Sequence, residues 1–196
     1  MSPRERILEA AMTVFVRYGF RLTSMERVGK EAGLSRQAVY NHFETKEALF
    51  RAVVELISVG SRDAAEAAAR EAEAEGASLS QALTAQLVAR LRFFTGHMDG
   101  SPHAEELLAE HSRQTQDLKE ADTAAFVGQL VATMARYAER GTRLRPDTAP
   151  ADLARLLILA EYGAKNDPRG AAALPDFATL VDLIVRGATV PPGPGT

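Results

Sequence analysis

Apolar side chains recur along this chain at three- and four-residue intervals, the spacing that gathers one face of an α-helix, and nowhere alternate as a strand requires. Ile7, Leu8, Ala11 and Phe15 predict a first helix ending at Tyr18-Gly19-Phe20. Met25, Val28 and Ala32 predict a short second helix, and Ala38, Val39 and Phe43 a short third. Thr45 caps a long fourth helix through Leu49, Phe50, Val53, Val54 and Ile57. It runs on through the Ala/Glu/Arg-rich stretch 63–75, which composition alone describes as a solvated spacer, and Gly60 marks a bend within it. Gly76 closes that segment, and Ser78 or Ser80 opens a helix carrying Leu83, Leu87, Leu91, Phe94 and Met98. A short helical pattern over 102–112 and a long one over 118–140 precede a loop at 141–150. Two strongly apolar helices, 151–163 and 175–187, complete the pattern, and the Pro/Gly-rich residues 191–196 predict a disordered tail. The expected fold is all-α, with about nine helices.

The second and third helices are separated only by Ala32-Gly33-Leu34-Ser35, which is the layout of a helix-turn-helix over residues 24–43. Thr23 or Ser24 can cap the first of the pair, because a side-chain oxygen accepts from the orphan amides of the first turn. Gly33 can stop it in a left-handed conformation, and Ser35 can cap the next helix at once. With Ala38, Val39 and Phe43 facing inward, Arg36, Gln37, Tyr40, Asn41 and His42 point outward. Arg and Gln pair with purine edges in the major groove, whereas Tyr, Asn and Ser reach phosphates. Spacing alone also fits a soluble helical hairpin with an ordinary polar face.

The residues that carry a resemblance are Thr23-Ser24-Met25, Val28, Ala32-Gly33-Leu34-Ser35, Val39-Tyr40-Asn41-His42-Phe43 and Lys46-Glu47-Ala48-Leu49-Phe50. Together with the first helix they closely resemble the amino-terminal domain of TetR-family transcriptional regulators, over about a quarter of the chain. One departure is Gly29, where the family usually has alanine; glycine inside a helix costs roughly 0.5–1 kcal/mol relative to alanine. The resemblance implies a helix-turn-helix domain over residues 1–50 and a helical effector-binding and dimerisation domain over 51–190. Arg36, Gln37 and Tyr40 are then the major-groove residues, and Thr23, Ser24, Ser35, Asn41, His42 and Lys46 hold phosphates, with Arg4 as a flanking contact. The expected partner is double-stranded DNA carrying an inverted repeat.

Composition narrows the setting. The chain has 196 residues, 46% of them hydrophobic, which is ample for a globular core. It has no cysteine, so disulfides and thiolate metal sites are excluded and a reducing compartment is permitted. No apolar run approaches the ~18 residues of a membrane span, and Met1-Ser2-Pro3-Arg4-Glu5 leads straight into a helix, so a soluble cytoplasmic protein is expected. A net charge of −3 looks wrong for a phosphate binder. Its distribution resolves this: the first 50 residues hold eight basic and six acidic side chains, a balance of +2, which leaves −5 beyond them.

The middle helices mix aromatic, thioether and polar groups of the kind that line small-molecule pockets: Phe93, Phe94, His97, Met98, His103, Leu107, Phe126, Leu130, Met134, Tyr137 and Tyr162. A plain core is the alternative, and the resemblance favours an effector cavity. Leu153, Leu156, Leu157 and Ala160, with Phe177, Leu180, Val181 and Ile184, make helices apolar on more than one face. A monomeric core fits them too; the resemblance implies a homodimer joined through these helices, most simply a repressor released by a small molecule. A regulator that activates, or that answers to no ligand, would share the architecture. His103, Glu106, Glu110 and His111 fall along one helical face and give a rival of another class, a metal-binding protein or enzyme, although the spacing is not HExxH. Gly-x-Ser-x-Gly and phosphate-loop motifs are absent, so catalysis is not expected, and no cofactor is implied.

Overall fold

The structure, a computed structural model, describes residues 1–98, 101–167 and 169–190; the side chain of Met98 and the expected tail at 191–196 lie outside that set. Nine α-helices run through the described residues: α1 Pro3–Leu22, α2 Met25–Ala32, α3 Arg36–Tyr40, α4 Lys46–Ala74, α5 Leu79–Met98, α6 Ala104–Gln114, α7 Gln116–Glu139, α8 Pro150–Lys165 and α9 Leu174–Ala188. A 3-10 turn at Gly170–Ala173 leads into α9. Among the described residues the only extended pairing is an isolated bridge between Leu144 and Thr189. No described helix is long and apolar enough to cross a membrane.

Two compact units result. The first comprises residues 1–59 and 96–120, the second 60–95 and 121–196. The segment 96–120, assigned from the sequence to the larger domain, thus belongs with the amino-terminal helices. The reason is apolar: Leu107 of α6 is buried in one core with Ile7, Ala11, Phe15, Val28, Val39 and Leu49. Phe15, Phe20 and Phe50 form a three-ring cluster, with centroids 5.1–5.9 Å apart, that fixes the start of α4 against α1.

The second unit buries Leu83, Leu87 and Leu91 of α5 with Phe126, Leu130 and Met134 of α7, Leu153 and Leu157 of α8, and Phe177 and Val181 of α9. Ala65 and Ala72 of α4 join this core, so the alanine-rich stretch is a packed helix with one small-residue face, not a solvated spacer. Gly60 does not interrupt α4. The Phe93 ring occupies the space there, 2.5 Å from where a Cβ would stand, and glycine serves to admit it.

Candidate DNA-binding interface and effector core

Each joint of the helix-turn-helix is closed by a specific bond. Ser2 and Glu5 form a reciprocal capping box at the start of α1, and bonding from the Ser2 backbone holds the Glu5 carboxyl below its ordinary range. The Ser24 hydroxyl accepts from the Arg27 amide at 3.3 Å, so Ser24, not Thr23, caps α2. Gly33 ends α2 at φ 65°, ψ 35°, and the next amide, Leu34, donates to Gly29 O at 2.8 Å. The Ser35 hydroxyl then accepts from the Ala38 amide at 3.1 Å, and α3 begins.

These bonds present a polar surface. Arg36, Gln37, Tyr40, Asn41 and His42 are all exposed, while Val39 and Phe43 are buried beneath them. Arg36 lies over the Tyr40 ring at 5.4 Å, and Gln37 Nε2 donates to Asn41 Oδ1 at 3.2 Å, so the outward groups are ordered in two adjacent pairs. Ser24 and Ser35 are exposed at the two helix starts, and Arg4 is exposed beside the Phe43 ring.

Two residues expected on this surface are engaged elsewhere. Thr23 is buried, and its hydroxyl donates to Gly19 O at 2.6 Å, closing the end of α1 where Gly19 turns left-handed at φ 73°. Lys46 Nζ donates to Phe20 O at 2.9 Å and sits 4.4 Å from the centre of the Phe20 ring. Both serve the orphan carbonyls that a helix end must satisfy. Arg6 does the same for α2 by donating to Ala32 O at 2.6 Å, a role the spacing of apolar residues could not show.

The face proposed for a metal is tied up in protein contacts. Glu106 Oε1 accepts from the Arg21 amide at 2.8 Å, with His103 Nδ1 3.6 Å from Glu106 Oε2. Glu110 is paired with Arg113, which holds its carboxyl below the usual range, and His111 Nδ1 shares a hydrogen bond with Thr115. Among the described residues no three His, Asp or Glu side chains converge on one point.

The effector residues divide between the units. His97, His103 and Leu107 belong to the first, Leu107 as part of its core. Phe126, Leu130, Met134 and Tyr137 are core residues of the second, where Tyr137 Oη donates to Ala77 O at 2.8 Å. Phe93 and Phe94 are half-buried, and Tyr162 shares a hydrogen bond with Thr123 at 3.1 Å. A shallow groove of about 170 Å³ opens between Thr123, Val127, Arg155, Ile158, Leu159 and Tyr162.

Sequence reasoning misses the charged heart of this unit. Arg90, buried on α5, pairs with both Asp122 of α7 and Glu161 of α8, and lies 4.1 Å from the centre of the Phe126 ring. Arg62 of α4 takes the second oxygen of Asp122, and Lys165 Nζ lies 3.5 Å from Glu161. Each of these side chains reads as an ordinary surface charge in a helical pattern; only the spacing of Glu161 among Leu157, Ile158 and Lys165 hints otherwise.

Of the residues expected at a dimer interface, Leu153, Leu157, Phe177 and Val181 are buried within their own unit, and Ala160 and Ile184 pack partly against it. Leu156 and Leu180 are 55% and 45% exposed, and beside them in sequence stand two leucines not singled out, Leu159 at 67% and Leu183 at 59%. Successive helical turns put the inward leucines at one angle and the outward ones at another, and a pattern apolar on both sides does not say which is which.

Residues 7–53 match the family model described as bacterial regulatory proteins, tetR family. The HTH-type transcriptional regulator UidR of Escherichia coli K12 is 30% identical over 166 residues, covering 84% of this chain and 80% of its own. YfiR of Bacillus subtilis, an uncharacterized HTH-type regulator, is 53% identical over 49 residues, 25% of this chain and 24% of its own. In fold the chain is similar to SmeT, the repressor of the Stenotrophomonas maltophilia multidrug efflux pump SmeDEF, with a TM-score of 0.64 at 22% identity over 98% of this chain and 94% of that one. SmeT has also been solved as a complex with triclosan.

Proposed function

Because this chain belongs to the TetR family of bacterial transcriptional regulators, we propose that it is a homodimeric repressor that binds an inverted-repeat operator and is released by a small molecule. The observation that carries the reading is the exposed Arg36, Gln37, Tyr40, Asn41 and His42 surface on a helix fixed by the Gly33 turn and the Ser35 cap. In this reading Arg36 and Gln37 meet base edges, Tyr40 adds a groove contact, and Ser24, Ser35, Asn41 and His42 meet phosphates. Arg4 flanks the site. Residues 1–50 supply the DNA contacts, and 60–95 together with 121–190 house the effector and the dimer contact.

Dimerisation supplies the symmetry that a palindrome requires, with half-sites about one helical turn, ~34 Å, apart. The exposed leucines of α8 and α9 are the apolar surface available for it. Release follows the rule of linkage: an effector lowers operator affinity only by preferring a state that binds DNA less well. Helix α4 is the element through which such a preference would travel, since Leu49, Phe50 and Val53 lie in the first core and Ala65 and Ala72 in the second. That SmeT is a repressor and binds triclosan supports the same pairing of functions here.

The test is selection of bound sequences from a random duplex pool at near-physiological salt. Enrichment of an inverted repeat, bound as two copies of the chain per duplex, is the expected result. A folded protein that enriches no sequence would overturn the reading.

A further inference from the structure

The outward faces of α8 and α9 repeat one pattern. On α8 it runs Asp152, Leu156, Leu159, Gly163, and on α9 Asp176, Leu180, Leu183, Gly187, so each helix carries acid, leucine, leucine and glycine at steps of four, three and four. All eight residues are exposed. The opposite faces are buried together, Leu153 and Leu157 in one core with Phe177 and Val181, so both seams look away from that core. Steps of four and three are the spacing with which one helix packs along another.

The two glycines serve nothing within a single chain. Neither takes the left-handed conformation that would make it a cap, and outside its own helix nothing lies within 4 Å of where a Cβ would stand. Alanine would favour the helix at both positions, so each glycine keeps open a space that this chain does not fill. The ends of the two helices are also level. Arg145, five residues before α8, donates its amide to Ala188 O at 2.8 Å, which ties the approach to α8 to the end of α9. Asp152 and Gly187 therefore stand at one end of an antiparallel pair, Gly163 and Asp176 at the other.

A spacing of four, three and four reads the same in both directions. A second copy related by a twofold axis along the helices brings α9 of one chain antiparallel onto α8 of the other with every position matched. Leucine then meets leucine, and each acid meets the space left by a glycine. Arg186 adjoins Gly187 and is 68% exposed at its side chain, which adds a cation where Asp152 of the second copy arrives. Parallel packing would instead set Asp152 against Asp176, acid on acid, and glycine against glycine across a gap.

We propose that this chain recognises a second copy of itself in that one register, with Asp152 opposite Gly187, Leu156 opposite Leu183, Leu159 opposite Leu180 and Gly163 opposite Asp176. The proposal rests on the homodimer reading given above. It adds which residue of one chain meets which of the other.

The experiment uses the full-length protein and reads association by sedimentation. Leu156→Glu alone and Leu183→Lys alone are each expected to weaken the dimer at least about a hundredfold, since each buries a charge against a leucine. Mixed in equal amounts, the two are expected to associate at least about tenfold more tightly than either alone, because one rung then pairs Glu with Lys and the other keeps both leucines. No recovery in the mixture, or equal recovery when Leu156→Glu is mixed with Leu156→Lys, would overturn the register and keep the homodimer reading. The chain has no cysteine, so Asp152→Cys mixed with Gly187→Cys reports the contact directly: disulfide-linked pairs of unlike chains are expected there, and none when Asp152→Cys is mixed with Asp176→Cys. The reverse result would also overturn the register. A wild-type chain that sediments as a monomer at micromolar concentration would sink the register and the homodimer reading together.

Discussion

The carbonyl oxygen of Leu34 lies 2.9 Å from where a methyl group on Gly29 would stand. The backbone carbonyl and carbon of Ser35 lie 3.3 Å from the same point, so the turn folds directly onto α2. From sequence, Gly29 looks like a weak point in a helix; in the fold it is where the second helix makes room for the turn. Alanine there gains about 0.8–1 kcal/mol of helix propensity but sets its methyl against a backbone oxygen closer than a Cβ stands, so the turn itself must move. Gly29→Ala is therefore expected to destabilise by about 1–3 kcal/mol, and Gly29→Val, which adds bulk at the same point, by more. Urea unfolding of the two variants checks this; an alanine variant as stable as wild type would show that the turn does not press on this position.

Gln37 and Lys46 should fail differently. Gln37→Ala is expected to relax preference at one base pair by about 1–3 kcal/mol while leaving random-sequence binding nearly unchanged. Lys46 donates to Phe20 O, so Lys46→Ala is expected to lower the melting temperature of the DNA-binding unit by removing a charged hydrogen bond worth about 1.5–3 kcal/mol. If Lys46→Ala instead keeps its melting temperature and lowers the salt slope of DNA binding by about one, the lysine reaches a phosphate after all.

Leu159 and Leu183 are exposed on α8 and α9, so replacing either in a monomer costs little. Leu159→Glu and Leu183→Glu are expected to retain the helical circular dichroism of wild type, to sediment as monomers at micromolar concentration, and to lose most operator affinity. Variants that sediment as wild-type dimers would move the interface to another face.

Arg90 is the most exposed to loss of the buried charges, energetically speaking, because removing it leaves Glu161 with Lys165 alone. Arg90→Met is expected to destabilise by about 3–5 kcal/mol, the usual cost of breaking a buried pair from one side. Arg90→Met with Glu161→Met should recover part of that loss, since the Glu161 carboxylate is then gone, although Lys165 loses its partner with it. Thermal unfolding of both variants measures the difference, and additive losses would mean the pair is not coupled.

Arg51 meets Asp117 through two hydrogen bonds, Nη1 to Oδ1 at 2.9 Å and Nη2 to Oδ2 at 2.6 Å. These bonds hold the Asp117 carboxyl below its ordinary range. A depressed carboxyl contributes stability above its unfolded value, about 3.9, and loses it as pH falls through the lower folded value. The melting-temperature advantage of wild type over Asp117→Asn is therefore expected to be constant from pH 7 to 5 and to shrink below about 4. Parallel curves down to pH 2.5 would remove Asp117 from the acid response.

The helices and the turn were legible because their signals are local. Ser24, Gly33 and Ser35 cap or stop helices through bonds to residues three or four positions away, and Val39 and Phe43 mark the inward face over a single turn. What was not legible depends on distant partners. Thr23 looks like any phosphate-binding threonine until Gly19 O takes its hydroxyl, and Leu107 looks like a pocket residue until α6 packs with α1. Asp122 and Glu161 are 39 positions apart in sequence, and no periodicity announces that Arg90 will stand between them. The apolar pattern of α8 and α9 is likewise silent about which leucines the fold covers.

The first unit is assembled from two stretches of sequence, and this sets an order of events during synthesis. When Val59 leaves the ribosome every residue of the helix-turn-helix has been made, but Leu107, which completes the core beneath it, is still 48 residues away. At roughly 5–20 residues per second the nascent reading head waits about 2–10 s for its last piece. A gene fragment cut at the end of the family match would encode the whole recognition surface and still yield a head with an open flank.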